Sequence, residues 1–263
     1  MGKMIIAASG KGGTGKTTFT SQVGPMLASL GYLTVLVDAD AGFRNLDIAL
    51  GLESSVVYDY SDYMNERAEL DDVLIKSPDH ENLYFVAAPQ SAVTSEFDAD
   101  RTEQFWESLK SRFDFVIADA PAGMGDGFSF AAGCADEAVI VSLAEAASLR
   151  DADRVTEELE NIGVGTIRLV LNRIQPQLVT NKILMNVDDC IDILSIPILG
   201  IVPEDGSVIT AASSGKAIDN TDSGAGRAFL NIAKRLTGES VRIMDFNEKK
   251  GFLKSVRKAL FKG

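Results

Sequence analysis

Apolar and polar positions along this chain follow two alternating rhythms. Short aliphatic runs recur at Met4–Ala8, Thr34–Asp38, Leu83–Ala87, Phe113–Ala118, Ala138–Leu143, Ile167–Asn172 and Ile198–Val202. Their length and β-branched content predict strands. Between them, apolar residues return every three or four positions at about 17–30, 101–112, 150–161, 187–194 and 225–237, which predicts helices. Near-continuous apolar strands separated by helices indicate an α/β sandwich. Its central sheet should be mostly parallel, of about seven or eight strands, with helices on both faces. Ligands in such sheets gather beyond the carboxyl ends of the strands, so the polar residues there are the candidates for chemistry. No repeat, low-complexity block or linker precedes about residue 245. One domain is therefore expected at 1–244 and a separate tail at 245–263.

The first strand runs into Gly10-Lys11-Gly12-Gly13-Thr14-Gly15-Lys16-Thr17, a complete G-x-x-x-x-G-K-[ST] loop, followed by Thr18 and a segment of helical period. Strand, loop and helix in that order are what the pattern needs to cradle phosphate, and they predict a P-loop NTPase-like sandwich. The glycines let successive backbone N–H groups turn inward at a helix N-terminus. Lys16 is placed to reach the β- and γ-phosphates, and the Thr17 hydroxyl to ligate Mg²⁺. A nucleoside triphosphate, ATP with Mg²⁺, is the expected ligand.

Other strand ends add acids and amides. The second strand ends in Asp38 and Asp40, spaced to support Mg²⁺ or to position the attacking water, although such acids are also common in solvated turns. Four apolar residues capped by Asp119 form a Walker-B pattern, with Asp119 expected on a Mg²⁺-bound water or the Thr17 hydroxyl. Thr17, Asp40 and Asp119 are thus the metal candidates. Gly123, four residues on, is expected to offer its N–H to the γ-phosphate and to hinge a switch. Asn172 with Arg173, and Pro203 with Asp205, close two later strands. An amide there has the donor and acceptor an adenine edge requires, and ordinary polar loop residues fit the spacing equally well. Lys11 adds little beside Lys16 from within the same loop; from a second subunit it would act like an arginine finger.

Composition narrows the partners. The chain has 263 residues, 46% hydrophobic and 24% charged, which suits a globular domain with a sizeable core. Its two cysteines, Cys134 and Cys190, show no metal-ligand spacing, and packed thiols in a reducing cytosol are expected. The single histidine, His80, lies in a turn-like stretch, so histidine-dependent catalysis is not expected. No signal-peptide pattern or run of eighteen apolar residues is present, and a protein neither exported nor membrane-spanning is expected. The net charge of −13 hides an asymmetry: residues 249–263 hold six basic groups and no acid, leaving 19 basic against 38 acidic groups, a net −19, in the other 248 residues. An acidic body is repelled by DNA and by anionic lipid; the tail is not. On a helical projection Phe252, Leu253, Val256, Ala259 and Leu260 fall within about 120°, opposite Lys254, Arg257, Lys258 and Lys262. That is the pattern of a basic amphipathic helix lying in a lipid interface; docking on the protein's own core is the alternative.

The K-G-G-T-G-K-T-T loop resembles the deviant Walker A of the ParA/MinD group of P-loop ATPases. Phe43-Arg44-Asn45-Leu46-Asp47, Val56-Val57-Tyr58-Asp59, Asn82-Leu83-Tyr84, Asp119-Ala120-Pro121-Ala122-Gly123, Ser148 to Arg154, Val202 to Val208 and the tail Glu248 to Lys254 are similar to its septum-site-determining branch from end to end. The resemblance implies a homodimer formed on ATP, with Lys11 crossing the dimer and Asp38, Asp40 and Asp119 serving Mg²⁺ and water. It implies Asn172 on adenine and a C-terminal helix inserted into anionic lipid on the inner face of the cell membrane. A MinC-like septum inhibitor and a MinE-like stimulating factor are the implied partners, with no nucleic acid. Thr14 stands where Val or Ile is usual, and the tail is longer than usual. The alternatives are a flagellar-placement ATPase of the same group, a DNA-partitioning ATPase, which a −19 body disfavours, and an iron–sulfur ATPase, which lacks the paired cysteines.

Overall fold

Side-chain alternation along the central strands sends apolar residues to both faces of one sheet. The computed structural model describes residues 1–91, 96–218 and 221–243. The expected amphipathic helix, with Phe252, Leu253, Lys254, Val256, Arg257, Lys258 and Leu260, lies outside the described residues.

The strands are β1 (Lys3–Ala8), β2 (Thr34–Asp38), β3 (Ile75–Lys76), β4 (Leu83–Val86), β5 (Phe115–Asp119), β6 (Glu137–Leu143), β7 (Thr166–Ile174) and β8 (Ile198–Pro203). They form one sheet in the order β3-β4-β2-β5-β1-β6-β7-β8, parallel throughout except for the antiparallel β3–β4 pair. All seven strands expected from the apolar runs are present. β3 was not foreseen, because two residues are too few to show a period.

The helices are α1 (Lys16–Ser29), α2 (Leu46–Leu50), α3 (Tyr60–Met64), α4 (Leu70–Val73), α5 (Ala99–Arg112), α6 (Asp126–Ala132), α7 (Ala146–Ile162), α8 (Pro176–Thr180), α9 (Val187–Leu194), α10 (Gly206–Ser214) and α11 (Gly224–Leu236). On β1, Ile5 and Ala7 face a layer containing Phe19 of α1, Leu46 of α2, Ala211 of α10 and Phe229 of α11. Met4, Ile6 and Ala8 face the opposite layer, which holds Tyr60 of α3, Trp106 of α5, Phe130 of α6, Leu149 of α7 and Cys190 of α9. The period of two along the strand therefore feeds two separate cores.

Two buried polar contacts fix the frame. Glu137, at the start of β6, is buried and paired with Lys3 of β1 and Arg168 of β7. On the second layer, the Trp106 indole N–H donates to the Phe130 carbonyl at 2.8 Å and holds α6 against α5. Among the described residues no helix is long and apolar enough to cross a membrane. Burial raises both thiols, Cys190 to about 11, the opposite of what a thiolate ligand requires.

Candidate functional site

β1 lies between β5 and β6, so the loop at its carboxyl end opens near the middle of the sheet. Gly13 and Gly15 adopt φ +80° and +99°, conformations that L side chains rarely take, and α1 starts directly after them. The start of α1 has no side-chain cap and no acid in its first turn. Its leading amides are left for an anion, as phosphate recognition at a helix N-terminus requires. Gly10 answers a different demand: a Cβ there would stand 2.3 Å from the Asp151 backbone, so α7 presses directly on the loop.

Behind the loop the acids converge. The Thr17 hydroxyl donates to Asp119 Oδ2 at 2.6 Å, and Thr20 reaches Asp119 Oδ1 at a long 3.4 Å. β2 and β5 pair in register, setting Asp38 beside Asp119. Burial, and then the Asp119 charge, pushes the Asp38 carboxyl up to about 8. Burial also raises Asp119, to about 6, against the opposing Thr17 hydrogen bond and Lys16 charge. Half-buried Asp40 is raised by burial, again against Lys16. Three acids with elevated proton affinity around one buried lysine form a site that a divalent cation would stabilise, and its donors are hard oxygens. Among the described residues no three His, Cys, Asp or Glu side chains form a metal cage.

Several sequence-derived candidates are engaged with groups of the chain itself. Asp38 is committed to its own loop: Oδ1 accepts from the Asp40 N–H at 2.9 Å and Oδ2 from the Leu46 N–H at 3.1 Å. The Gly123 N–H donates to the Ser9 carbonyl at 3.0 Å, so it meets a γ-phosphate only by breaking that bond. Asn172 is buried and donates through Nδ2 to the Thr14 carbonyl at 2.8 Å, while Oδ1 accepts from the Arg173 N–H. A Cβ on Gly15 would stand 2.1 Å from that Nδ2, so amide and loop interlock. Asn172 is thus held against the back of the phosphate loop. The Asp205 carboxylate caps α10 through Ser207 N–H at 2.9 Å and receives the Ala225 N–H of α11 at 3.1 Å. The Ser207 bond leads in holding its pKa below the usual carboxylate range. Pro203 ends β8 beside it, and exposed Arg173 sits at φ +52°. Lys11 is turned to Glu145 of its own chain at 3.6 Å.

Glu145, Ser9 and Thr20 escaped the sequence reading. Ser9 fixes the loop through a bond to the Lys11 carbonyl. Thr20 lies three residues beyond Thr17 on the same helix face, a spacing that was visible; nothing local marks Glu145. Apolar side chains stand exposed on the loops after β2 and β5: Phe43 is 77% exposed and Met124 49%.

Residues 5–218 match the CobQ/CobB/MinD/ParA nucleotide binding domain family. The chain is 40% identical over 248 residues to the septum site-determining protein MinD of Synechocystis sp., covering 94% of this chain and 93% of that one. Its structure is similar to the MinC:MinD cell division protein complex of Aquifex aeolicus, with a TM-score of 0.86 and 35% identity, covering 92% of this chain and 98% of that one. It is also similar to the septum site-determining protein MinD of Pyrococcus horikoshii complexed with Mg-ADP, with a TM-score of 0.78 and 27% identity, covering 90% and 96% of the two chains.

Proposed function

The chain belongs to the MinD branch of the CobQ/CobB/MinD/ParA nucleotide-binding family, and from that premise we propose a membrane cycle for this septum site-determining ATPase. The observation that carries nucleotide chemistry is the 2.6 Å bond from Thr17 to Asp119 behind an uncapped α1. The loop amides and Lys16 hold the phosphates; Thr17 and Asp119, with Asp40 beside them, hold Mg²⁺. Mg²⁺ held by these residues would supply charge neutralisation for the transferring phosphoryl group. The acids position water, and phosphoryl transfer of this kind is limited by positioning. Turnover is therefore slow until a partner completes the site.

ATP pairs two protomers across the phosphate loops. Lys11 leaves Glu145 and reaches the phosphates of the second copy, where its charge acts on the transferring group. Exposed Phe43 and Met124, on the loops after β2 and β5, supply apolar surface for that pairing. A MinC-like inhibitor docks on the nucleotide-bound form, supported by similarity to a MinC:MinD complex. A MinE-like factor triggers hydrolysis and release.

Membrane attachment rests on the tail. Burying Phe252, Leu253, Val256 and Leu260 contributes at most roughly 6–12 kcal/mol, and partial insertion lowers it. Ordering about eleven residues costs ~1–2 kcal/mol each, offset only in part by helical hydrogen bonds. One tail is marginal, whereas two on a dimer act at an effective concentration in the mM range. Co-sedimentation with anionic liposomes tests the switch: ATP should bring the protein down, ADP should not, and Leu253→Glu should abolish binding with nucleotide affinity unchanged. Equal sedimentation in ATP and ADP refutes it.

A further inference from the structure

Tyr60 opens α3 and is fully buried, yet its hydroxyl has no hydrogen-bond partner among the described residues. A buried phenol without a partner costs stability, and phenylalanine would fill the same space without that cost. The ring is held firmly. It stacks on Phe130 of α6 at 4.9 Å and 23°, meets Phe97 edge-on at 6.0 Å and lies 6.3 Å from Phe105. Its backbone N–H donates to the Ala87 carbonyl at the exit of β4. The oxygen therefore cannot turn away to solvent.

The groups around it are acids. Burial raises the phenol's pKa, and the charges of Asp38, Asp59 and Asp40 raise it further in that order, so the hydroxyl stays a donor. Asp59 already accepts from the Ser61 N–H and hydroxyl as the cap of α3. Asp38 takes one backbone donor on each oxygen, and each oxygen has a second lone pair free. Helix α6, which carries the stacked Phe130, follows the Asp119–Gly123 loop, and a Cβ on its Gly127 would stand 2.5 Å from the Ala39 carbonyl. The two loops flanking the phosphate site thus already touch, and one of them leads into the helix whose Phe130 stacks on Tyr60.

We propose that Tyr60 is a positioning residue of the nucleotide site: with Mg²⁺ and ATP bound, its hydroxyl donates to the Asp38–Asp40 acidic loop, Asp38 first, directly or through one water. The ring then ties that loop to α6, so the elements after β2 and β5 move as one. This inference rests on the ATPase reading above.

The test is Tyr60→Phe in the full-length protein, which preserves the ring stack. Expected are an unchanged or higher melting temperature without nucleotide, kcat lower by about tenfold, and a KM for Mg-ATP raised by the same factor as the Mg²⁺-dependent affinity falls. The ATP affinity gained on adding Mg²⁺ should shrink, while Mg²⁺-free affinity stays the same. A hydroxyl with a merely structural role would move none of these kinetic values. Wild-type turnover with an unchanged variant overturns the inference alone. Wild-type protein with no Mg²⁺-dependent hydrolysis overturns the ATPase reading and the inference together.

Discussion

Asn172 separates two ways of recognising a nucleotide. If the amide reads adenine, replacing it weakens ATP and relaxes the choice of base. If it props the phosphate loop, the base is irrelevant. The structure commits Nδ2 to the Thr14 carbonyl at 2.8 Å, inside a buried setting where a Gly15 Cβ would collide with it. Asn172→Ala leaves that carbonyl without its donor, a loss of ~1–3 kcal/mol. In the free protein the loop then samples arrangements in which its amides diverge, and the ligand must gather them. Affinity should fall by roughly 5- to 150-fold, the equivalent of that loss. Asn172→Asp matches the amide's shape but opposes an acceptor to the carbonyl, so it should be at least as weak. Titration calorimetry with ATP, GTP and inorganic tripolyphosphate, each with Mg²⁺, measures the difference. All three should weaken by the same factor. Loss confined to ATP, with tripolyphosphate bound as in the wild type, would refute the loop role and support the adenine contact.

Two further outcomes follow from the geometry. Lys11→Ala removes only a half-exposed pair with Glu145, so monomer stability should change by less than ~1 kcal/mol, while ATP-dependent dimerisation in size-exclusion chromatography with light scattering disappears; an intact dimer counts against the crossing lysine. Asp205→Ala uncaps α10, takes away the acceptor of the Ala225 N–H in α11 and should cost ~1–2 kcal/mol, read as a lower melting temperature at neutral pH. Because the folded pKa lies below the unfolded one, that stabilisation is present above the ordinary Asp value of ~3.9 and lost as pH falls through the lowered one. The gap between variant and wild type should close in acid, and a gap that widens there contradicts the capping role.

Much of the fold could be read because its signals are local. Seven strands carry their own apolar runs, and the loop from Gly10 to Thr17 carries its own chemistry. The helices that escaped notice, such as α2, α3 and α6, span five to seven residues, too short for a helical period to repeat. At the site, sequence placed Asp38, Asp119 and Asn172 at the right strand ends but could not say what each touches. Asp38 and Asn172 turn to backbone groups that loop closure brings to them, from Leu46 and from Thr14, 158 residues away. Tyr60 is harder still. It adjoins a motif that was recognised, yet its surroundings come from Phe97, Phe105 and Phe130, and no pattern in one segment encodes such a cluster.

Glu137 and its two cations give the sheet a fixed root. Deleting both cations would strand a buried carboxylate, a penalty of ~3–5 kcal/mol, so β1, β6 and β7 are pinned together at that end. The same three strands carry at their far tips the phosphate loop, the Glu145 turn and Asn172. A ligand seated at those tips therefore meets strands braced at the opposite end, and the give it finds is expected in the rim loops rather than in the sheet.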